Sequence, residues 1–93
     1  MNLRWTVDAI RDREAIYAYI EADNPRAALA LDEVIAEHAE RLITHPALGR
    51  PGRVENTREW VAHRNYIIVY EVATESVRIL RVLHSALQWP TSR

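Results

Sequence analysis

The feature that most constrains this sequence is one break, Ala22-Asp23-Asn24-Pro25, set in the middle of a long amphipathic stretch. Proline disfavours helical geometry at the residue before it, yet its fixed φ suits the first position of a new helix, which Asn24 can cap. A single continuous helix is therefore excluded, and two successive helices are required. Upstream, from Asp8 to about Ala22, Ala9, Ile16 and Ile20 line one face with Ile10 and Tyr17 beside them, and Asp8 offers the capping oxygen. Downstream, Ala28, Leu31, Ile35, Ala39 and Leu42 form an apolar stripe flanked by Val34 and His38, and His45-Pro46 closes it. Helices joined by so short a turn pack as an antiparallel hairpin.

That hairpin needs a second layer to cover its apolar stripe, and the flanking sequence supplies strands. Leu3, Trp5 and Val7 alternate with Arg4 and Thr6, the period of a half-buried strand. Leu48-Gly49-Arg50-Pro51-Gly52-Arg53 holds both glycines and reads as the one clear loop. Beyond it, Arg58 to His63, Tyr66 to Ala73 and Val77 to Leu83 are strand candidates separated by hairpin-length turns. The expected architecture is α+β: an N-terminal strand, an antiparallel helix hairpin and a three-stranded antiparallel meander, forming one domain over residues 1–93.

Composition narrows the function classes. With no cysteine among 93 residues, disulfide frameworks and thiolate metal sites are excluded, and the N-terminus carries no basic-then-apolar signal pattern, so a cytoplasmic location is expected. Apolar runs such as Tyr66 to Tyr70 fall far short of the roughly 20 residues a membrane helix needs, and no membrane partner is expected. His38 and His45 stand two helical turns apart, too distant to share a metal, and neither a metal nor a cofactor is expected. The net charge of −1 conceals a split: residues 1–46 carry 5 Arg against 9 Asp/Glu, whereas 47–93 carry 7 Arg against 4. All 12 basic residues are arginine, a planar fork suited to bidentate pairing with carboxylate or phosphate.

Five segments in order carry a resemblance. They are Asn24-Pro25 with Ala27-Ala28, Gly49-Arg50-Pro51-Gly52-Arg53-Val54, Thr57-Arg58-Glu59, Tyr66-Ile67-Ile68-Val69-Tyr70, and Ile79-Leu80-Arg81-Val82-Leu83-His84, followed by Trp89-Pro90. Together they resemble the RelE/ParE family of toxins from bacterial type II toxin-antitoxin modules, closer to ParE-like than to RelE-like members. The resemblance implies a compact fold like that of small microbial ribonucleases, a role in plasmid stabilisation, and a cognate antitoxin that holds the toxin inactive. It also implies one of two targets: RelE-like members cut mRNA on the ribosome, whereas ParE-like members poison DNA gyrase. The RelE-like pattern places an arginine directly after the tyrosine that opens the central strand, where this sequence has Ile67, and a second arginine where it has Leu87. The lysine-rich second strand of those nucleases is matched by Arg58 to His63, which contains no lysine, and no late tyrosine or histidine follows in Gln88 to Arg93. Without groups to stabilise the developing phosphorane charge, the expectation is a gyrase-binding toxin. An mRNA interferase with another residue set and a degenerate module that only binds antitoxin are the alternatives.

Candidate site residues follow from the strand half. Arg50, Arg53, Arg58, Arg78 and Arg81 offer charge to an acidic antitoxin, and Trp60 and Trp89 offer aromatic anchors. Arg81 is expected to share a face with Val77, Ile79 and Leu83. His63, Arg64, Arg81 and His84 form the alternative catalytic cluster that an interferase reading would need.

Overall fold

A computed structural model describes residues 1–86. Its elements run β1 (Asn2–Trp5), α1 (Val7–Glu21), α2 (Pro25–Thr44), β2 (Arg50–Pro51), β3 (Arg58–His63), β4 (Tyr66–Val72) and β5 (Ser76–His84). The strands form one sheet in the order β1-β5-β4-β3-β2, antiparallel except where β1 runs parallel to β5. That parallel pair is bridged by the helix hairpin, which covers one face of the sheet. The α2 stripe Ala28, Leu31, Ile35, Ala39 and Leu42 is buried in full, and all but Ala28 join a core with Ala62, Ile68, Tyr70, Val77, Ile79 and Val82. Asn24 caps α2 by accepting the Ala27 N–H at 3.1 Å, with Pro25 at the first helical position.

Three local expectations are corrected. Helix α1 is capped by Thr6 rather than Asp8: the Thr6 hydroxyl accepts the Ala9 N–H at 3.1 Å and donates to the Leu80 carbonyl at 3.0 Å. Asp8 sits inside the first turn, where its charge still favours the helix dipole. The loop at Arg50-Pro51 pairs with Glu59 and Arg58 as a two-residue edge strand, a position in which proline's missing N–H costs no ladder bond. Leu83 leaves the Val77 and Ile79 face because β5 bulges: Tyr70 pairs with Ile79 but Val69 pairs with Arg81, so Leu80 is an extra residue. Beyond that bulge Val82 faces the helices and Leu83 turns to the other side of the sheet.

Between the layers, Arg13 ties three elements together. Its guanidinium lies 4.6 Å from the Trp5 ring centroid and donates to both oxygens of Asp32, at 3.0 and 2.8 Å. Trp60 faces α2 and donates its indole N–H to His38 Nδ1 at 2.9 Å. That bond requires an unprotonated Nδ1, and burial, reinforced by the Arg41 charge, lowers the His38 pKa below its ordinary value of 6.5.

These packing relations give two expectations. Ile35, 1% exposed, sits at the centre of the core, so Ile35→Ala should lower stability by about 2 to 5 kcal/mol. Ile10→Ala, at a position 44% exposed, should change it by under about 0.5 kcal/mol, and paired thermal melts compare the two directly. For His38, the folded pKa lies below the unfolded one, so its contribution is complete above the unfolded value and is lost as pH falls through the folded value. The melting temperature should therefore drop as pH falls below about 6.5, and His38→Gln, which keeps an acceptor but cannot titrate, should flatten that slope.

Candidate functional site

The apolar run Tyr66 to Tyr70 places Tyr66, Ile68 and Tyr70 toward the helices and leaves Ile67 and Val69 on the helix-free face of the sheet. Leu83, turned by the β5 bulge, joins them across the strand, opposite Ile67 in the register. These three side chains floor a small cleft whose rim is Arg50, Arg53, Glu59 and Ser85. Val69 and Leu83 are 1% and 5% exposed, so this face has a true apolar floor. The cleft encloses about 60 Å³, room for a side chain rather than for a nucleotide. Glu59 is buried and accepts from Arg50 Nη2 at 3.1 Å, while Arg50 itself lies largely in solvent. Ile67 was singled out by the sequence, whereas Glu59, Val69 and Leu83 were not read as parts of a site, although an unbroken apolar run of this length is a signal that both faces of a strand are covered.

The loop that carries the rim is pinned from the core side. Buried Tyr70 donates its hydroxyl to the Pro46 carbonyl at 2.7 Å and accepts the Gly49 N–H at 2.8 Å. Burial raises the Tyr70 pKa, which keeps the phenol protonated as a strut between the two backbone groups. Arg58 donates to the Gly49 carbonyl at 2.6 Å, so its charge is spent on the chain's own loop. A Cβ at position 49 would stand 2.7 Å from the Tyr70 hydroxyl and 2.9 Å from the Glu59 carbonyl, which explains the glycine. A little further on, Gly52 donates to the Thr57 carbonyl at 2.7 Å and Asn56 adopts a left-handed φ of 69°, closing a tight loop around Arg53.

The other candidates are dispersed. Arg81 donates Nε and Nη2 to the two oxygens of Asp12 at 2.7 and 3.0 Å, and Asp12 also accepts the Val82 N–H at 2.9 Å. The hydrogen bond to Asp12 raises the Arg81 pKa further, and the guanidinium is committed to α1. Arg78 is half in solvent and pairs with Glu71 on the helix-free face. Trp60 is a packing residue against α2, as its bond to His38 requires. His63 and His84 flank Tyr66, with ring centroids 6.2 and 5.3 Å from it, and Arg64 is exposed at the adjoining turn. The alternative catalytic cluster is thus brought together only in part, since Arg81 is held by Asp12. Leu87 and Trp89 lie outside the described residues. Among the described residues no three metal-ligating side chains converge, and no helix is long and apolar enough to cross a membrane.

A helix hairpin over a mixed five-stranded sheet is an α+β fold that this chain shares with the ParDE toxin-antitoxin system from P. aeruginosa. Residues 3–89 match the family model for the ParE toxin of the type II toxin-antitoxin system parDE, and the chain belongs to that family. It is 45% identical over 90 residues to Y4kP of Sinorhizobium fredii, a protein named as a candidate toxin, covering 96% of this chain and 93% of the relative. It is 35% identical over 82 residues to toxin RelE2 of Caulobacter vibrioides, covering 88% and 92%. Among solved structures, the chromosomal ParDE system from P. aeruginosa superimposes with a TM-score of 0.82 at 28% identity, over 90% of this chain and 95% of that one.

The clamp between Asp12 and β5 should be measurable. Asp12→Ala strands a partly buried guanidinium and a bulge N–H, and should cost about 2 to 3 kcal/mol in urea denaturation. Asp12→Asn keeps an acceptor for Val82 and should cost less; equal losses below about 0.5 kcal/mol for both variants would remove the clamp from the account.

Proposed function

We propose that this type II toxin acts by binding DNA gyrase in the cytoplasm, and that a cognate antitoxin neutralises it. The observation that carries the reading is Ile67. The slot that RelE-like nucleases fill with an arginine holds a side chain on the floor of an apolar cleft, beside Val69 and Leu83. Phosphoryl chemistry needs cationic groups aimed at the developing charge, and this position offers only a surface to bury. An apolar floor with a charged rim is the build of a protein-binding patch: the centre excludes water and the rim sets orientation. The similarity to the ParDE system from P. aeruginosa favours the same side of the family.

Neutralisation then falls to arginines that the fold leaves unspent. Arg58 and Arg81 are held internally and Arg78 is paired, whereas Arg53 has no ion-pair partner among the described residues and Arg50 presents most of its surface to solvent. Carboxylates of an acidic antitoxin segment would meet these two at the cleft rim, adding charge-assisted bonds to apolar burial on Ile67 and Leu83. Arg81 is thereby reassigned from the antitoxin footprint to the toxin's own framework.

The test compares two targets with one preparation. The purified toxin should inhibit supercoiling by gyrase and leave ribosome-bound mRNA intact in primer extension. Cleavage at defined codons with gyrase unaffected would establish the interferase reading instead, and inactivity in both assays would point to a degenerate, antitoxin-binding module.

A further inference from the structure

The rim of the cleft is carried by a loop that has little of its own to hold it. Between the end of α2 and the start of β3, residues 45–57 pair with the sheet only at Arg50 and Pro51. The largest apolar side chain of the loop, Leu48, is 40% exposed, so apolar burial does little to anchor it. What fixes the loop is one glycine. Gly49 is buried, and both of its backbone groups end on side chains from the sheet: its N–H donates to the Tyr70 hydroxyl on β4 at 2.8 Å, and its carbonyl accepts from Arg58 on β3 at 2.6 Å. The same Tyr70 hydroxyl donates to the Pro46 carbonyl at 2.7 Å. A phenylalanine would fill this fully buried position with no polar atom to satisfy, so the hydroxyl serves the loop rather than the core. On the far side, Gly52 bonds back to the Thr57 carbonyl and the Thr57 hydroxyl donates to the Val54 carbonyl at 2.6 Å. Arg50 and Arg53 are therefore placed by backbone held at both ends. Their own contacts contribute little, since Arg53 makes no ion pair among the described residues and Arg50 pairs only with Glu59.

We propose that Tyr70 and Arg58 are positioning residues for gyrase inhibition, a role that rests on the cleft being the surface that meets gyrase. Neither side chain needs to touch the target. A loop fixed before the encounter spares binding the entropy cost of ordering it, so affinity at the rim rises without any added contact. Without the Tyr70 hydroxyl, the buried Gly49 N–H has no partner and the loop opens to reach water. The guanidinium groups of Arg50 and Arg53 then no longer stand in one place around Ile67 and Leu83. The contribution of Arg58 to binding passes through the same glycine, by way of the backbone rather than through its charge.

Supercoiling inhibition and amide hydrogen exchange, measured on the same variants, test the role. Tyr70→Phe should speed exchange across residues 46–57 and weaken inhibition of purified DNA gyrase by about fivefold, the equivalent of one lost hydrogen bond. Arg58→Ala should do the same, and Arg58→Lys, which keeps a donor, should recover part of the loss. Arg53→Ala, which removes a rim charge directly, should also weaken inhibition. Ile35→Val, a core change on α2 chosen to lose a similar amount of stability, should leave both the loop's exchange and the inhibition at parental values. Parental exchange in Tyr70→Phe, or parental inhibition by Tyr70→Phe while Arg53→Ala is impaired, would overturn the positioning role alone. Weakening by Ile35→Val as large as that by Tyr70→Phe would replace it with a general loss of stability. A parent toxin that leaves gyrase unaffected, or an Arg53→Ala variant as potent as the parent, would overturn the assignment of the cleft to gyrase and the positioning role with it.

Discussion

The bulge in β5 is the constraint on which the rest of this fold depends. An extra residue at Leu80 shifts the register between β4 and β5, and because β1 ends opposite Ile79 the outer edge of β5 carries backbone groups there that no strand satisfies. Helix α1 satisfies them. The Thr6 N–H donates to the Ile79 carbonyl at 3.0 Å, the Thr6 hydroxyl donates to the Leu80 carbonyl at 3.0 Å, and Asp12 accepts the Val82 N–H at 2.9 Å. The residue that caps the helix is thus also bonded to β5, so one side chain ties the two layers together. Arg81 then closes the arrangement, because its fork neutralises the carboxylate that would otherwise sit half-buried against the bulge.

The bulge also builds the open face. Without the extra residue, Leu83 would alternate inward with Val77 and Ile79; with it, Val82 takes the core position and Leu83 joins Ile67 and Val69 outside. An apolar cleft on the helix-free face is therefore a by-product of the same irregularity that locks α1 to the sheet. A region that evolves to bind a partner can in this way gain apolar surface without exchanging core residues.

The charge split along the sequence suggested a basic strand half opposing an acidic helix half. Folding rearranges that balance. Arg81 crosses to Asp12, Arg78 is matched by Glu71, Arg50 by Glu59, and Arg58 is turned onto the Gly49 carbonyl. What remains available to a partner is a short list of exposed arginines at loop and turn positions, among them Arg53 on the cleft rim and Arg64 at the turn after β3. Net charge in a segment measures attraction at long range, whereas recognition depends on which guanidinium groups are still uncommitted.

How much of this was legible beforehand can be judged element by element. The two helices, the α2 stripe, β3 and the succession of N-terminal strand, helix pair and antiparallel meander along the chain follow from local rules: proline fixes where a helix stops and starts, and period decides which side chains face inward. Ile67 was also readable as a missing arginine, because its neighbours Tyr66 and Ile68 anchor the register. The α1 cap, the two-residue edge strand and the inversion of Leu83 were not readable, since each depends on a partner far along the chain: Thr6 on Leu80, Arg50 on Glu59, Val69 on Arg81. Sequence by itself determined the elements and the apolar faces that drive them together, because those are set within a few residues. Only the tertiary structure decided which arginines stay free and where the cleft opens, because hydrogen-bond commitments and a one-residue bulge are fixed by long-range pairing that leaves no local pattern.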